Sequence, residues 1–148
     1  MKVRRVVTGI NNEGKSYVKW DSPIEGEAGR AGFEKVELWA TDSLPAKLSE
    51  DDPSKWDLGT SLSNGSVFRI CKYEPGVKGR WHTTDTVDYG IILSGDLWME
   101  LEEGEVQISA GDVIVQRKTN HSWANRGTKP CIVAFILIAT ENAKPTGW

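Results

Sequence analysis

The chain holds two histidines, His82 and His121, and each stands just after a turn or corner, at or near the start of a segment with strand character. Side chains two apart on a strand share a face, so Arg80, His82 and Thr84 point one way, and His121 points with Trp123. If both imidazoles face the inside of one β cavity, they converge there. Arg80, Thr84 and Trp123 are then the groups that a small substrate would touch, while Trp81 turns outward. Imidazole suits two kinds of chemistry, metal ligation and proton transfer near neutral pH. Other chemistries lack their signals. No Gly-x-Gly-x-x-Gly or Walker pattern occurs, and the acidic runs at residues 49–52 and 102–105 lack the ligand spacing of a calcium loop.

The elements that must carry these residues read as strands. No window longer than about ten residues repeats apolar positions at three and four, so helices are nearly absent. Residues 2–8 and 16–20 flank the turn cluster Asn11-Asn12-Glu13-Gly14 and predict a hairpin. Residues 33–40 place Val36, Leu38 and Ala40 on one face and Lys35 and Glu37 on the other. Residues 41–64 are polar, with room for one short helical turn. From residue 66 onward short strands follow one another between turns, many of them Gly-containing: 67–73, 80–84, 89–93, 97–101, 105–108, 113–117, 122–125 and 131–139. About eight strands suffice to close a small barrel or jelly roll.

At these residues the sequence resembles the cupin superfamily. Gly76 is followed after five residues by His82; the second histidine position of the family's first motif holds Thr84, its glutamate position holds Asp88, and Gly95 closes it. The second motif is matched by Gly111-Asp112-Val113-Ile114-Val115-Gln116, then His121 and Asn125, with Arg117 and Thr119 where the family usually has Pro and Gly. The resemblance implies an all-β double-stranded β-helix, a jelly-roll barrel over residues 66–140, with extra N-terminal strands and loops in residues 1–65, together one domain of 148 residues. It also implies a homodimer. Residues 131–139 are apolar on both faces, so the N-terminal strands or a second subunit should cover their outer side.

The resemblance further implies a facial triad of His82, Asp88 and His121 that holds a divalent transition metal (Fe, Mn, Ni or Zn) for oxygenation, isomerisation or decarboxylation of a small molecule. A metal-free alternative uses the same three residues as an acid–base set. There the Asp88 carboxylate raises an imidazole pKa and orients its ring, and Thr84 and Arg80 hold a carbonyl or enolate oxygen. In a third reading the protein binds a small acid between Trp123 and Arg80 without catalysis.

Composition bounds these expectations. A net charge of -3 gives no electrostatic footprint for nucleic acid. The longest apolar run, residues 131–139, is about half of a membrane-spanning helix, and the N-terminus turns polar at Thr8 before any signal-peptide core forms. The two cysteines, Cys71 and Cys131, form neither a disulfide framework nor a thiol metal clip. The expectation is a cytoplasmic protein with a small-molecule partner, and with neither nucleic acid nor membrane among its partners.

Overall fold

The computed structural model describes residues 1–146; Gly147 and Trp148 lie outside the described residues. The Val-rich N-terminus forms β1 (Lys2–Ile10), which pairs antiparallel with β2 (Ser16–Glu25). Asn11 closes the hairpin: its Oδ1 accepts from the backbone N–H groups of Glu13 and Lys15, and Gly14 takes the positive φ of 75° that the turn needs. After the short β3 (Glu27–Ala28) comes β4 (Phe33–Thr41). A single 3-10 turn at Pro53–Lys55, capped by Asp52, interrupts the polar segment where one helical turn was expected.

Seven strands follow: β5 (Ser66–Tyr73), β6 (Thr86–Ser94), β7 (Asp96–Leu101), β8 (Gly104–Ser109), β9 (Val113–Arg117), β10 (His121–Ala124) and β11 (Cys131–Ala139). With β3 and β4 they form the six-stranded sheet β3-β4-β5-β11-β6-β9 and the three-stranded sheet β10-β7-β8. Val67, Ile92, Leu97, Trp123, Val133 and Phe135 fill the core between them. This is the expected jelly roll. β4 extends the larger sheet beyond β5, while the β1–β2 hairpin stays a separate two-stranded sheet. The hairpin is fastened to β4 by Trp20 against Trp39, ring centroids 6.2 Å apart, and by Arg5, whose Nη1 donates to Leu38 O at 3.0 Å.

Three expectations are corrected. Residues 80–84 form no strand: only His82 bridges to His121. Asn125 N donates to Val77 O while His82 pairs with His121, so five residue steps on one side face four on the other and no ladder can keep register. The alternation of β4 is shifted by a bulge between Glu37 and Trp39, and Lys35 faces an internal cavity. Of the two covers expected for the outer face of β11, the N-terminal hairpin is not the one, because it packs against β4, two strands away in the sheet. On the outer face of β11 and its neighbours Phe68, Ile136, Tyr89 and Val115 align in one outward row across four strands, and Phe68, Tyr89 and Val115 are exposed.

Candidate active site

A cavity of about 320 Å³ opens between the two sheets, and all six residues singled out from the sequence line it: Arg80, His82, Thr84, Asp88, His121 and Trp123. Their supports differ. His121 opens β10 and is 2% exposed, and Trp123, two residues on, keeps the same inward face. The Trp123 ring stands edge-on to His121 at 5.2 Å and rests on Phe135 at 5.5 Å. His82 reaches the cavity from the loop, its ring centroid 4.3 Å from that of His121.

Both rings are oriented by backbone carbonyls. His82 Nδ1 lies 2.8 Å from Arg80 O and His121 Nδ1 lies 2.9 Å from Thr119 O. A carbonyl only accepts, so each Nδ1 carries the proton and each Nε2 presents a lone pair. Burial lowers the pKa of both rings, that of His121 to about 4, so both are neutral at physiological pH. The metal-free expectation that Asp88 raises an imidazole pKa and orients the ring is therefore corrected: desolvation outweighs any gain, and main-chain carbonyls do the orienting.

Asp88 occupies the opposite wall. It lies on β6, paired with Gln116 of β9 and Leu137 of β11, whereas His121 belongs to the smaller sheet. Its side chain is 6% exposed, and burial pushes its pKa up to about 6 against the smaller opposing effects of the Thr86 hydroxyl, the Arg69 charge and the Thr84 hydroxyl. Its Oδ1 has no hydrogen-bond partner. Thr84 is buried and accepts from the Thr86 hydroxyl at 2.8 Å.

The facial triad does not assemble. Among the described residues no three His, Cys, Asp or Glu side chains come together in a way that could hold a metal. Two imidazole Nε2 atoms are one protein donor short of a three-ligand catalytic site, and the Asp88 carboxyl does not group with them. Fe, Mn, Ni or Zn does not fit these residues as the sequence suggested.

Several lining residues lie outside the sequence reading. Arg30, Phe33 and Lys35 come from the N-terminal region, and Arg69, Cys71 and Tyr73 come from β5. Strand periodicity carried a signal for the second group. In β5 the buried positions Val67, Arg69, Cys71 and Tyr73 alternate with more open ones, so a charged Arg69 stands on the inward face. It donates to Gly59 O at 2.9 Å and pairs with Glu37 at 3.2 Å. Burial pushes the Cys71 thiol up to about 12, which keeps it protonated and a poor nucleophile.

Fold and cavity together define a β barrel with an interior cavity, and comparison with known proteins places that fold. The family model described as "Cupin domain" matches residues 69–138. Oryzines biosynthesis cluster protein J of Aspergillus oryzae is 36% identical over 97% of this chain and 85% of its own. A cupin-domain-containing oxidoreductase of Aspergillus ruber is 31% identical over 99% of this chain and 77% of its own. Among solved structures, the cupin domain of Schizosaccharomyces pombe Cnp3 aligns over 93% of this chain and 88% of its own, with a TM-score of 0.60 at 9% identity. The chain belongs to the cupin-domain family.

Proposed function

We propose that this protein is a small-molecule enzyme that moves a proton at the carbon beside a carbonyl group, with Asp88 as the base. The observation that carries this reading is the Asp88 carboxyl: it lines the cavity, is almost wholly buried, and holds one oxygen without a partner. Burial brings its pKa to about 6, close to where a general base works best at neutral pH. A substrate hydroxyl or enol donates to the Nε2 lone pairs of His82 and His121, which fix its position. Charge developing on the carbonyl oxygen is met by Arg80. Isomerisation and dehydration of a small carbonyl compound both begin with loss of that proton to Asp88, whereas decarboxylation releases CO2 first and ends with a proton returned to the same carbon. The relatives support a small-molecule role, since one takes its name from a biosynthesis cluster and another is called an oxidoreductase.

Deuterium uptake tests the proposal without knowledge of the product. A panel of small ketones, keto esters and keto acids is incubated in D2O, and NMR follows loss of the proton beside the carbonyl. Wild type accelerates exchange of at least one compound, and Asp88→Asn loses about 10²-fold or more of that rate. Exchange that is absent across the panel, or that survives Asp88→Asn intact, refutes the assignment.

A further inference from the structure

We infer that the cavity takes a small organic acid with a flat apolar body, and that residues 29–35, which precede the matched cupin domain, supply much of its recognition. This rests on the proton-transfer reading only in taking the cavity as the place where substrate binds.

Charge is the first argument. Arg30, Lys35, Arg69 and Arg80 line the cavity, and Asp88 is the one carboxylate on the lining among the described residues. Behind them Glu37 pairs with Lys35 at 2.8 Å and with Arg69 at 3.2 Å. Even with both carboxylates ionised the site is positive, inside a chain whose net charge is -3. Such a concentration of cations in a cavity with low-dielectric walls focuses potential on an anion.

Position is the second. The deeper cations share Glu37, whereas Arg30 and Arg80 are exposed and mark the mouth. Arg30 Nη1 donates to Lys78 O at 2.6 Å, and its guanidinium lies 6.0 Å from the Phe33 ring centroid. That bond fastens Arg30 to the segment that carries Arg80 and His82. Both guanidinium charges act on the His82 ring, lowering its pKa, so an anion seated there meets two arginines and one neutral imidazole. A guanidinium fork matches a carboxylate in geometry as well as charge.

Shape is the third. Phe33 packs against Tyr73 at 5.1 Å and Trp123 against Phe135 at 5.5 Å, so aromatic rings supply the apolar lining. The volume of about 320 Å³ lies near the lower end for small-ligand sites, which suits a single flat ring or short chain.

Titration calorimetry on the full chain compares phenylacetate and benzoylformate with their methyl esters. The acids are expected to bind at least about ten-fold tighter than the esters, and to weaken by about that factor in concentrated NaCl. Arg80→Gln and Arg30→Gln each lower acid affinity about five- to ten-fold and lower ester affinity by much less, so that the acid–ester ratio shrinks, while Arg30→Lys recovers much of the loss. Acids and esters that bind alike overturn the assignment, as does acid binding unmoved by both Gln variants. Should Arg30→Gln fail to fold, Arg80→Gln and the acid–ester comparison decide alone. Acid preference without deuterium uptake by any carbonyl compound removes the proton-transfer reading and keeps the ligand class; uptake without acid preference does the reverse.

Discussion

His82 and His121 form a mirrored pair: each backbone N–H donates to the other's carbonyl, at 2.9 and 3.0 Å, and each ring is tied through Nδ1 to the carbonyl two residues before it. The exchange of two hydrogen bonds fixes the backbones as a close antiparallel pair. The ring ties then fix the tautomer. We expect ¹⁵N NMR to show both Nε2 atoms unprotonated at neutral pH, with His121 resisting protonation until about pH 4. A ring that titrates at or above the ordinary histidine value would contradict this geometry.

Asp88 sets the pH dependence. As the base it works ionised, so the deuterium-uptake rate should climb as pH rises through about 6 and then level off. Stability should run the other way. The folded carboxyl binds its proton more tightly than the unfolded one, so between about pH 4 and 6 the fold loses up to about 3 kcal/mol as Asp88 ionises. Asp88→Asn should therefore melt at a higher temperature than wild type at pH 7.5, with the gain vanishing at pH 4. An equal melting difference at both pH values would show that Asp88 is not held as described.

Metal removal gives a separate check. Protein purified without a histidine tag should carry less than about 0.1 equivalent of any transition metal, and EDTA should leave the exchange rate unchanged. Near-stoichiometric metal in wild type that disappears in His121→Ala would show that a two-imidazole site binds metal after all.

Gly79 permits the approach of the two histidine segments. A Cβ there would overlap Ser122 Oγ, and Ser122 is fully buried and donates to Glu100 at 2.7 Å. Ser122 Cβ and Glu100 Oε2 also stand within 3.0 Å of that position, so turning the hydroxyl alone does not clear it, and Gly79→Ala should push residues 78–82 away from β10 and separate the rings. The expected outcome is a loss of about 10²-fold in exchange rate against about 1–3 kcal/mol of stability. Unchanged turnover in this variant would mean that His82 is not needed at its observed place.

Stability of the N-terminal region depends on a near-buried ion pair. Arg5 meets Asp52 through two contacts, at 2.7 and 2.6 Å, and holds the Asp52 carboxyl at about 2. Because that pKa lies below the unfolded value, the contribution is present above about pH 4 and fades as pH falls towards 2. Arg5→Ala should cost about 2–3 kcal/mol at pH 7, discounted for the residual exposure of Asp52, and should speed amide exchange in β1 and β2 first. Uniform amide exchange across the fold would argue against a local fastening role.

The barrel was legible because its strands are short, turn-bounded and rich in β-branched residues, and because His82, Gly95, Gly111 and His121 stand in motif register. Trp123 was legible through alternation from His121. Asp88 was half legible: spacing put it at the cavity, but whether its carboxyl meets the two imidazoles depends on how the two sheets pack, and it does not group with them. Arg30 and Phe33 were hidden: Arg30 stands in residues 21–32, whose glycines and acids carry no strand pattern, and Phe33 opens the strand at 33–40, where alternation alone does not show that it faces the barrel mouth. The loss of strand pairing at residues 80–84 was hidden too, because a register slip depends on how two distant segments meet.

The cavity's outer wall is built from sequence that comes before the barrel proper. If residues 29–35 recognise the ligand as proposed, exchanging that wall between family members should shift ligand preference while leaving Asp88, the imidazoles and the core where they are. On the proposed reading, selection can revise the part of the ligand grip held by residues 29–35 without touching Asp88 or the imidazoles, whereas Arg80 shares its segment with His82 and ties grip to chemistry.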